Sequence, residues 1–228
     1  MKEKVDDITL INGDCMDYMR GLPDNAFDLA VVDPPYGGAG QSGGEYCLFG
    51  GRFEKYGVSR TGGKWAEKYG NKIKSWDIAP GDEYFKELFR VSRNQVIFGG
   101  NYFRLPPTRC FLVWRKLSIS EDFSMAMAEY AWTSFNGNAK VFECAPQGTK
   151  KEPRIHPCQK PIALYRWILR LFAHKGDKIL DTHLGSGSSA IAAFDMGCEF
   201  VGIELDETYY NTAKERIESY VSLPKLAL

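Results

Sequence analysis

The sequence predicts an α/β fold, a doubly wound and mostly parallel sheet with helices on both faces, and three observations carry that expectation. Apolar runs of strand length alternate with amphipathic runs of helical spacing along most of the chain. One run, "FDLAVV", is apolar enough to be a strand buried on both sides, as parallel strands are. Near the C-terminus, "DKILDTHLGSGSSAIAAFDMGCEFVGIELDETYYNTAKERIESY" follows the order strand, glycine turn, helix, strand, helix.

Taken in order, "ITLI" is rich in β-formers, "DCMDYMRGL" suits a short helix, and "FDLAVV" supplies the next strand. Residues 37–75 then change character. Ten of the 23 glycines fall between Gly37 and Gly63, interleaved with aromatic residues. From Arg52 to Lys74 there are seven basic residues, Arg52, Lys55, Arg60, Lys64, Lys68, Lys72 and Lys74, against Glu54 and Glu67. So long a stretch without a regular pattern is expected to be a functional loop, and basic and aromatic residues on a pliable backbone suit phosphate neutralisation and base stacking. Lys150, Lys151 and Arg154 are the second candidate for such contacts. After Asp77, "DEYFKELFRVS" has helical spacing, while "NQVIFGG", "CFLVW" and "AEYAWTSF" suggest strands. Residues 136–157 are expected to be irregular. "KPIALYRWILRLFAHKG" reads as an amphipathic helix with Pro161 in its first turn and Gly176 as its stop. The whole of 1–228 is expected to form one domain with an insertion at 37–75.

Composition narrows the function classes. No apolar run approaches the roughly 20 residues a bilayer span needs. The charged start, "MKEKVDDITLING", is unlike a signal segment. Six cysteines are scattered with no C-x-x-C pair, so neither a metal site nor a disulfide framework is suggested. A soluble, cytoplasmic protein in a reducing compartment is expected. The formal net charge is zero and the pI about 6.8, which argues against a general polyanion coat but leaves room for a local nucleic-acid site.

Two stretches carry chemistry. In "ILDTHLGSGSSAIAA", Gly185 and Gly187 would let a ligand approach the backbone at a helix N-terminus. Glu204 ends the next strand, where a carboxylate can take the two hydroxyls of a ribose. The loop therefore points to a nucleoside-bearing cofactor. Because Ala190 completes G-x-G-x-x-A, a nicotinamide or flavin dinucleotide and an oxidoreductase stay open on the loop alone. In "AFDLAVVDPPYGGAG", a strand runs into a carboxylate, two prolines and a tyrosine. These suit the exocyclic amine of a nucleobase, whose lone pair is delocalised into the ring. Asp33 and the carbonyl of Pro34 would accept its two N–H groups, localising the lone pair and relieving positive charge as a methyl group arrives. Pro35 stiffens the turn and Tyr36 can stack on an extruded base.

With "NGDCMDYM", "VVDPPYG", "FRVSRNQVIFGGNYF", "FLVWRKL", "HPCQKP", "LDTHLGSGSSAIAA" and "GIELDETYYNTAKERI" in this order, almost the whole chain resembles the S-adenosylmethionine-dependent amino-methyltransferases of DNA. The likeness is to their permuted, beta-type group, in which the catalytic tetrapeptide precedes the glycine loop. It implies a circularly permuted, Rossmann-like methyltransferase fold acting on double-stranded DNA by base flipping, as a monomer or homodimer, with no metal, and a setting such as restriction-modification. Members with aspartate in the tetrapeptide mostly methylate adenine at N6, and cytosine-N4 is the alternative. An inactive DNA-binding module is a remoter one. The resemblance implies catalytic roles for Asp33, Pro34, Pro35 and Tyr36. It implies cofactor contacts for Asp14, Cys15, Asp33, His156, Gln159, Lys160, Asp181, His183, Gly185, Gly187, Ser188 and Glu204, with Lys160 pairing with the methionine carboxylate. One departure stands out: Thr182 and His183 replace the family's usual proline and phenylalanine, and an imidazole would fill similar space. "PCQ" at 157–159 also matches the tripeptide around the nucleophile of cytosine-C5 methyltransferases. There, however, the cofactor glycines come before the cysteine, whereas Cys158 precedes Gly185.

Overall fold

The computed structural model describes residues 1–37, 78–121, 126–146 and 153–223, together with the backbone of two short strands within 53–58. Arg52, Lys55, Arg60, Lys64, Lys68, Lys72 and Lys74, and also Lys150 and Lys151, lie outside the described residues.

The elements run β1 (Lys2–Val5), β2 (Ile8–Asn12), α1 (Cys15–Arg20), β3 (Phe27–Val32), β4 (Phe53–Glu54), β5 (Gly57–Val58), α2 (Asp82–Val91), β6 (Ser92–Phe98), β7 (Leu112–Lys116), β8 (Ala128–Thr133), β9 (Lys140–Cys144), α3 (Ile162–Phe172), β10 (Lys178–Asp181), α4 (Ser188–Met196), β11 (Glu199–Glu204) and α5 (Glu207–Val221). Nine strands form one sheet in the order β1-β2-β11-β10-β3-β6-β8-β7-β9. The strands β2, β11, β10, β3 and β6 are parallel to one another, as the buried apolar runs predict. Antiparallel pairings, β1 with β2 and β8 with β6 and β7, flank that core. The strands β4 and β5 pair with each other.

Alternation along β3 sorts the core into two layers. Leu29 and Val31 join the cluster that includes Ile168 of α3, Ile191 of α4 and Ile217 of α5. Ala30 and Val32 join the opposite cluster, with Met19 of α1 and Phe85 and Leu88 of α2. A sheet covered on both faces needs apolar side chains at consecutive positions, and "FDLAVV" supplies them. Pro161 caps α3 at its N-terminus, one position before the first turn, with φ −64° and ψ 142°. Two elements differ from expectation. The strand β1 forms in the charged start, and β9 forms inside the stretch expected to be irregular.

Candidate active site

The strand order creates the site. From β3 the chain proceeds to β6 on one side, and from β10 to β11 on the other, while β3 and β10 are parallel neighbours. Connections leave this point in opposite directions and open a crevice at the C-terminal strand ends. Asp33 follows β3, Asp181 ends β10, Glu204 ends β11, and Asp14 stands two residues beyond β2. Parallel pairing brings these four acidic residues to one edge, with Asn12 opposite Glu204 and Asp181 opposite Gly202.

The glycine turn is shaped by contact. Gly185 and Gly187 adopt φ +53° and +74°, a region glycine enters without steric cost. A Cβ on Gly187 would stand 2.8 Å from Ile217 Cδ1, so α5 packs where a larger residue would collide. Glu204 is pinned beside the turn: the Gly185 N–H donates to its Oε2 at 2.8 Å and the Asp206 N–H to its Oε1 at 3.0 Å. Burial pushes its carboxyl above the usual range. Asp181, 1% exposed, accepts from Ser189 Oγ at 2.6 Å and from the His183 N–H at 3.0 Å. Burial raises its pKa to about 7. His183 lies against the ring of Tyr84, and Thr182 Oγ1 lies 2.6 Å from Tyr84 Oη and 2.9 Å from His183 Nδ1. Burial lowers the His183 pKa to about 4, so its ring is neutral.

His156 packs edge-on against Tyr209 with ring centroids 4.4 Å apart, and its Nδ1 accepts the Cys158 N–H at 3.2 Å. Burial first, and then Lys160 and Arg154, lower its pKa to about 3. A Cβ on Gly185 would lie 3.5 Å from His156 Nδ1, which places the "HPCQKP" loop over the glycine turn. Asp14 caps α1 by accepting the Met16 N–H at 2.7 Å. Cys15 follows it, its thiol pushed up to about 12 by burial and by Asp14.

At the tetrapeptide, Tyr36 Oη donates to Asp33 Oδ1 at 2.7 Å, and Lys160 Nζ donates to Asp33 Oδ2. Lys160 thus pairs with Asp33 and with Glu129. The Tyr36 ring stacks on Tyr102, with centroids 4.9 Å apart and planes at 22°. Burial, then Asp33, hold the Tyr36 phenol well above its usual range, so it remains a donor.

Two expected contacts are occupied inside the protein. Gln159 Oε1 accepts the Ile155 N–H at 2.9 Å and its Nε2 donates to the Pro153 carbonyl at 3.3 Å, so its amide ties the loop together. Ser188 Oγ, 2% exposed, meets Ser186 Oγ and Arg216 Nη1, each at 3.1 Å. Arg154 likewise bonds the carbonyl of Pro157 at 2.8 Å. Sequence reasoning missed Glu129, Lys116, Tyr84 and Tyr102. The signal for the first two was partial: Glu129 is a charge inside the strand run "AEYAWTSF", and Lys116 stands beside Arg115 inside "FLVWRKL". No disulfide joins the described cysteines to one another, and no group of three His, Cys, Asp or Glu residues placed to hold a metal ion occurs among the described residues. No helix among them is long and apolar enough to cross a membrane.

An α/β sheet with an acidic edge around a glycine turn fits a nucleoside cofactor that carries a cationic centre. The ribose hydroxyls and the ammonium group of S-adenosylmethionine are donors, and Asp14, Asp181 and Glu204 are acceptors beside the turn. The chain belongs to the N6/N4 family of DNA methylases, whose profile matches residues 68–215. It is 26% identical over 225 residues to YubD of Escherichia coli (strain K12), which bears a provisional methylase designation; the match covers 91% of this chain and 88% of that protein. Two solved structures share the fold. TTHA0409 of Thermus thermophilus, provisionally named a DNA modification methylase and solved with S-adenosyl-L-methionine, superposes with a TM-score of 0.53 at 19% identity, covering 93% of this chain and 95% of that one. The PvuII DNA methyltransferase, described as cytosine-N4-specific, gives a TM-score of 0.59 at 12% identity over 96% of this chain and 87% of the other.

Proposed function

We propose that this chain methylates the N6 amino group of adenine in double-stranded DNA, using S-adenosylmethionine, with the target base turned out of the helix. One observation carries the reading: Asp33 and the glycine turn lie at the C-terminal ends of the adjacent parallel strands β3 and β10. Bound S-adenosylmethionine supplies an electrophilic methyl group on a positively charged sulfur. Glu204 and Asp14 hold hydroxyl and adenine donors, while Asp181 and the backbone at Gly185 and Gly187 line the methionine side. Asp33 and the Pro34 carbonyl accept the N–H groups of the target amine, which concentrates its lone pair on nitrogen and offsets the positive charge that develops there. Pro34 and Pro35 fix that carbonyl and add no competing donor. Tyr36 stacks on the extruded base, which takes the place Tyr102 holds in the free protein. Aspartate in the tetrapeptide favours adenine over cytosine on family resemblance.

The test is to incubate the chain with labelled cofactor and unmethylated DNA and analyse the nucleosides by mass. N6-methyladenine is expected; N4-methylcytosine would move the target to cytosine, and unmodified DNA would overturn the reading. Asp33→Ala is expected to lower transfer at least about 10²-fold while cofactor binding stays measurable. A near-normal rate would remove Asp33 from its role.

A further inference from the structure

Beside the tetrapeptide, two buried cations alternate with two carboxylates. Lys116, which ends β7, has a side chain 7% exposed, and that of Lys160 is 5% exposed. Glu129, on β8, lies between them, its Oε1 2.6 Å from Lys116 Nζ and its Oε2 3.3 Å from Lys160 Nζ. Lys160 completes the chain to Asp33 and sits 4.6 Å from the centre of the Phe98 ring.

The two carboxylates are unequally satisfied. Asp33 receives a donor on each oxygen, Tyr36 Oη on one and Lys160 Nζ on the other. Glu129 Oε2 is buried and receives no well-aligned hydrogen bond among the described residues. Its nearest donor is Lys160 Nζ at 3.3 Å; a buried acceptor so poorly satisfied is costly, and an ammonium group carries three N–H donors. Lys160 therefore has a second seat within a small movement of the first. Its side chain is only 5% exposed, and a buried ammonium deprived of a carboxylate is strongly disfavoured. Burial raises the Glu129 pKa, but Lys160 and Lys116 outweigh it and hold that carboxyl below its usual range, so Glu129 is present as the anion.

In the proposed reaction Asp33 must turn an oxygen to an incoming amine, and both of its oxygens already hold a donor, Tyr36 Oη on Oδ1 and Lys160 Nζ on Oδ2. We propose that Glu129 is a positioning residue onto which Lys160 passes, from Asp33 Oδ2 to Glu129 Oε2, as Asp33 takes up the target amine. The transfer moves one hydrogen-bonded ammonium between two carboxylates and breaks no covalent bond. It also keeps the cluster neutral, with Lys116 and Lys160 matched by Glu129 and Asp33. The amine nitrogen becomes cationic during transfer, so an unbalanced Lys160 beside it would oppose the step.

The kinetic part rests on the methyl-transfer reading; the structural part does not. The structural test is a crystal structure of Asp33→Asn without ligands. With the charge at position 33 withdrawn, Lys160 Nζ is expected at a hydrogen-bond distance of about 2.8 Å from Glu129 Oε2. If Lys160 stays on residue 33 or turns to solvent, the inference is overturned whether or not the chain methylates DNA. In single-turnover methylation, Glu129→Gln leaves the cluster one positive charge in excess and is expected to slow transfer about 10²-fold, with KM for both substrates within about threefold. Lys116→Met removes the competitor for Glu129 and is expected to transfer at the wild-type rate or faster. The neutral pair Glu129→Gln/Lys116→Met is expected to recover at least about tenfold over Glu129→Gln alone, a sign of coupling that merely structural damage would not give. If Glu129→Gln does not fold, Lys116→Met and the neutral pair carry the comparison with wild type. A pair slower than Lys116→Met by no more than threefold, or Lys116→Met slower than wild type by tenfold, would overturn the inference.

Discussion

Asp181 is 1% exposed yet carries a carboxyl, and burial sets its pKa near 7 against an ordinary value of 3.8. A folded pKa raised above the unfolded one means that the folded state holds the extra proton between those values. Its contribution to stability is therefore complete below pH 4 and is lost as the pH climbs through 7, with a full span on the order of 4 kcal/mol. Asp181→Asn keeps an oxygen for the His183 N–H and removes the titration. Urea midpoints at pH 5 and pH 8 are expected to fall by less in the variant than in the wild type, by a few kcal/mol on conversion; equal falls would show that Asp181 does not set this window. The same residue shows what was legible at this scale. Asp33, Asp181, Gly185 and Glu204 are readable because each ends a strand or starts a turn. Glu129 and Lys116 show in the sequence only as charges within strand runs, because their meaning lies in distant partners: Lys160, 31 positions beyond Glu129, and Glu129 itself, 13 positions beyond Lys116. The inward turn of Gln159 and Ser188 depends on hydrogen bonds that no spacing announces.

The strand β6 and the turn after it show how an element supports a side chain elsewhere. Gly99 follows β6 with φ +65°, and a Cβ there would stand 2.2 Å from Tyr36 Cε1. The next residues, Gly100–Tyr102, form one 3₁₀ turn that carries Tyr102 onto the Tyr36 ring. The glycine is thus what lets the tetrapeptide tyrosine lie against the end of the strand and reach Asp33. Gly99→Ala adds the strain of a left-handed alanine, about 1–2 kcal/mol, and displaces the ring. Transfer to DNA is expected to fall at least about tenfold while cofactor affinity, measured by calorimetry, stays within about threefold; unchanged transfer would show that Tyr36 does not need this seat. Elements with a buried face are the ones the sequence reveals. The strands β3, β6 and β10 run apolar because helices cover both sides. By contrast, β1 and β9 are the two outer strands, with burial patterns that are mostly exposed or intermediate, so "KEKV" and "KVFEC" contain no apolar run to read.

For the whole molecule, the sheet decides where the long insertion begins and ends. Asp33, Asp181 and Glu204 come from distant parts of the chain and reach one edge because β3, β10 and β11 run the same way. The basic and aromatic insertion leaves from that edge just after Tyr36, and the chain is back beside its exit by residue 79. A Cβ on Gly37 would lie only 3.0 Å from Ala79 Cβ. Two chain ends in contact can be joined without straining the sheet, since closing a short loop between adjacent ends costs little. Replacing 38–77 with a linker of a few glycines is therefore expected to preserve folding and the thermal shift that S-adenosylmethionine produces by binding the folded state. If the insertion supplies the phosphate contacts, the same variant binds duplex DNA at least about tenfold more weakly, and its affinity depends less on salt, since each lost contact flattens the log–log slope by about 0.9. Neutralising Arg60, Lys64 and Lys68 together in the full chain is expected to reduce that slope by up to about 3 while leaving cofactor binding unchanged. A deletion variant that keeps both the affinity and the salt slope of the full chain would assign DNA binding to the sheet edge itself, and the charge of the insertion would then have no part in holding the duplex over Asp33.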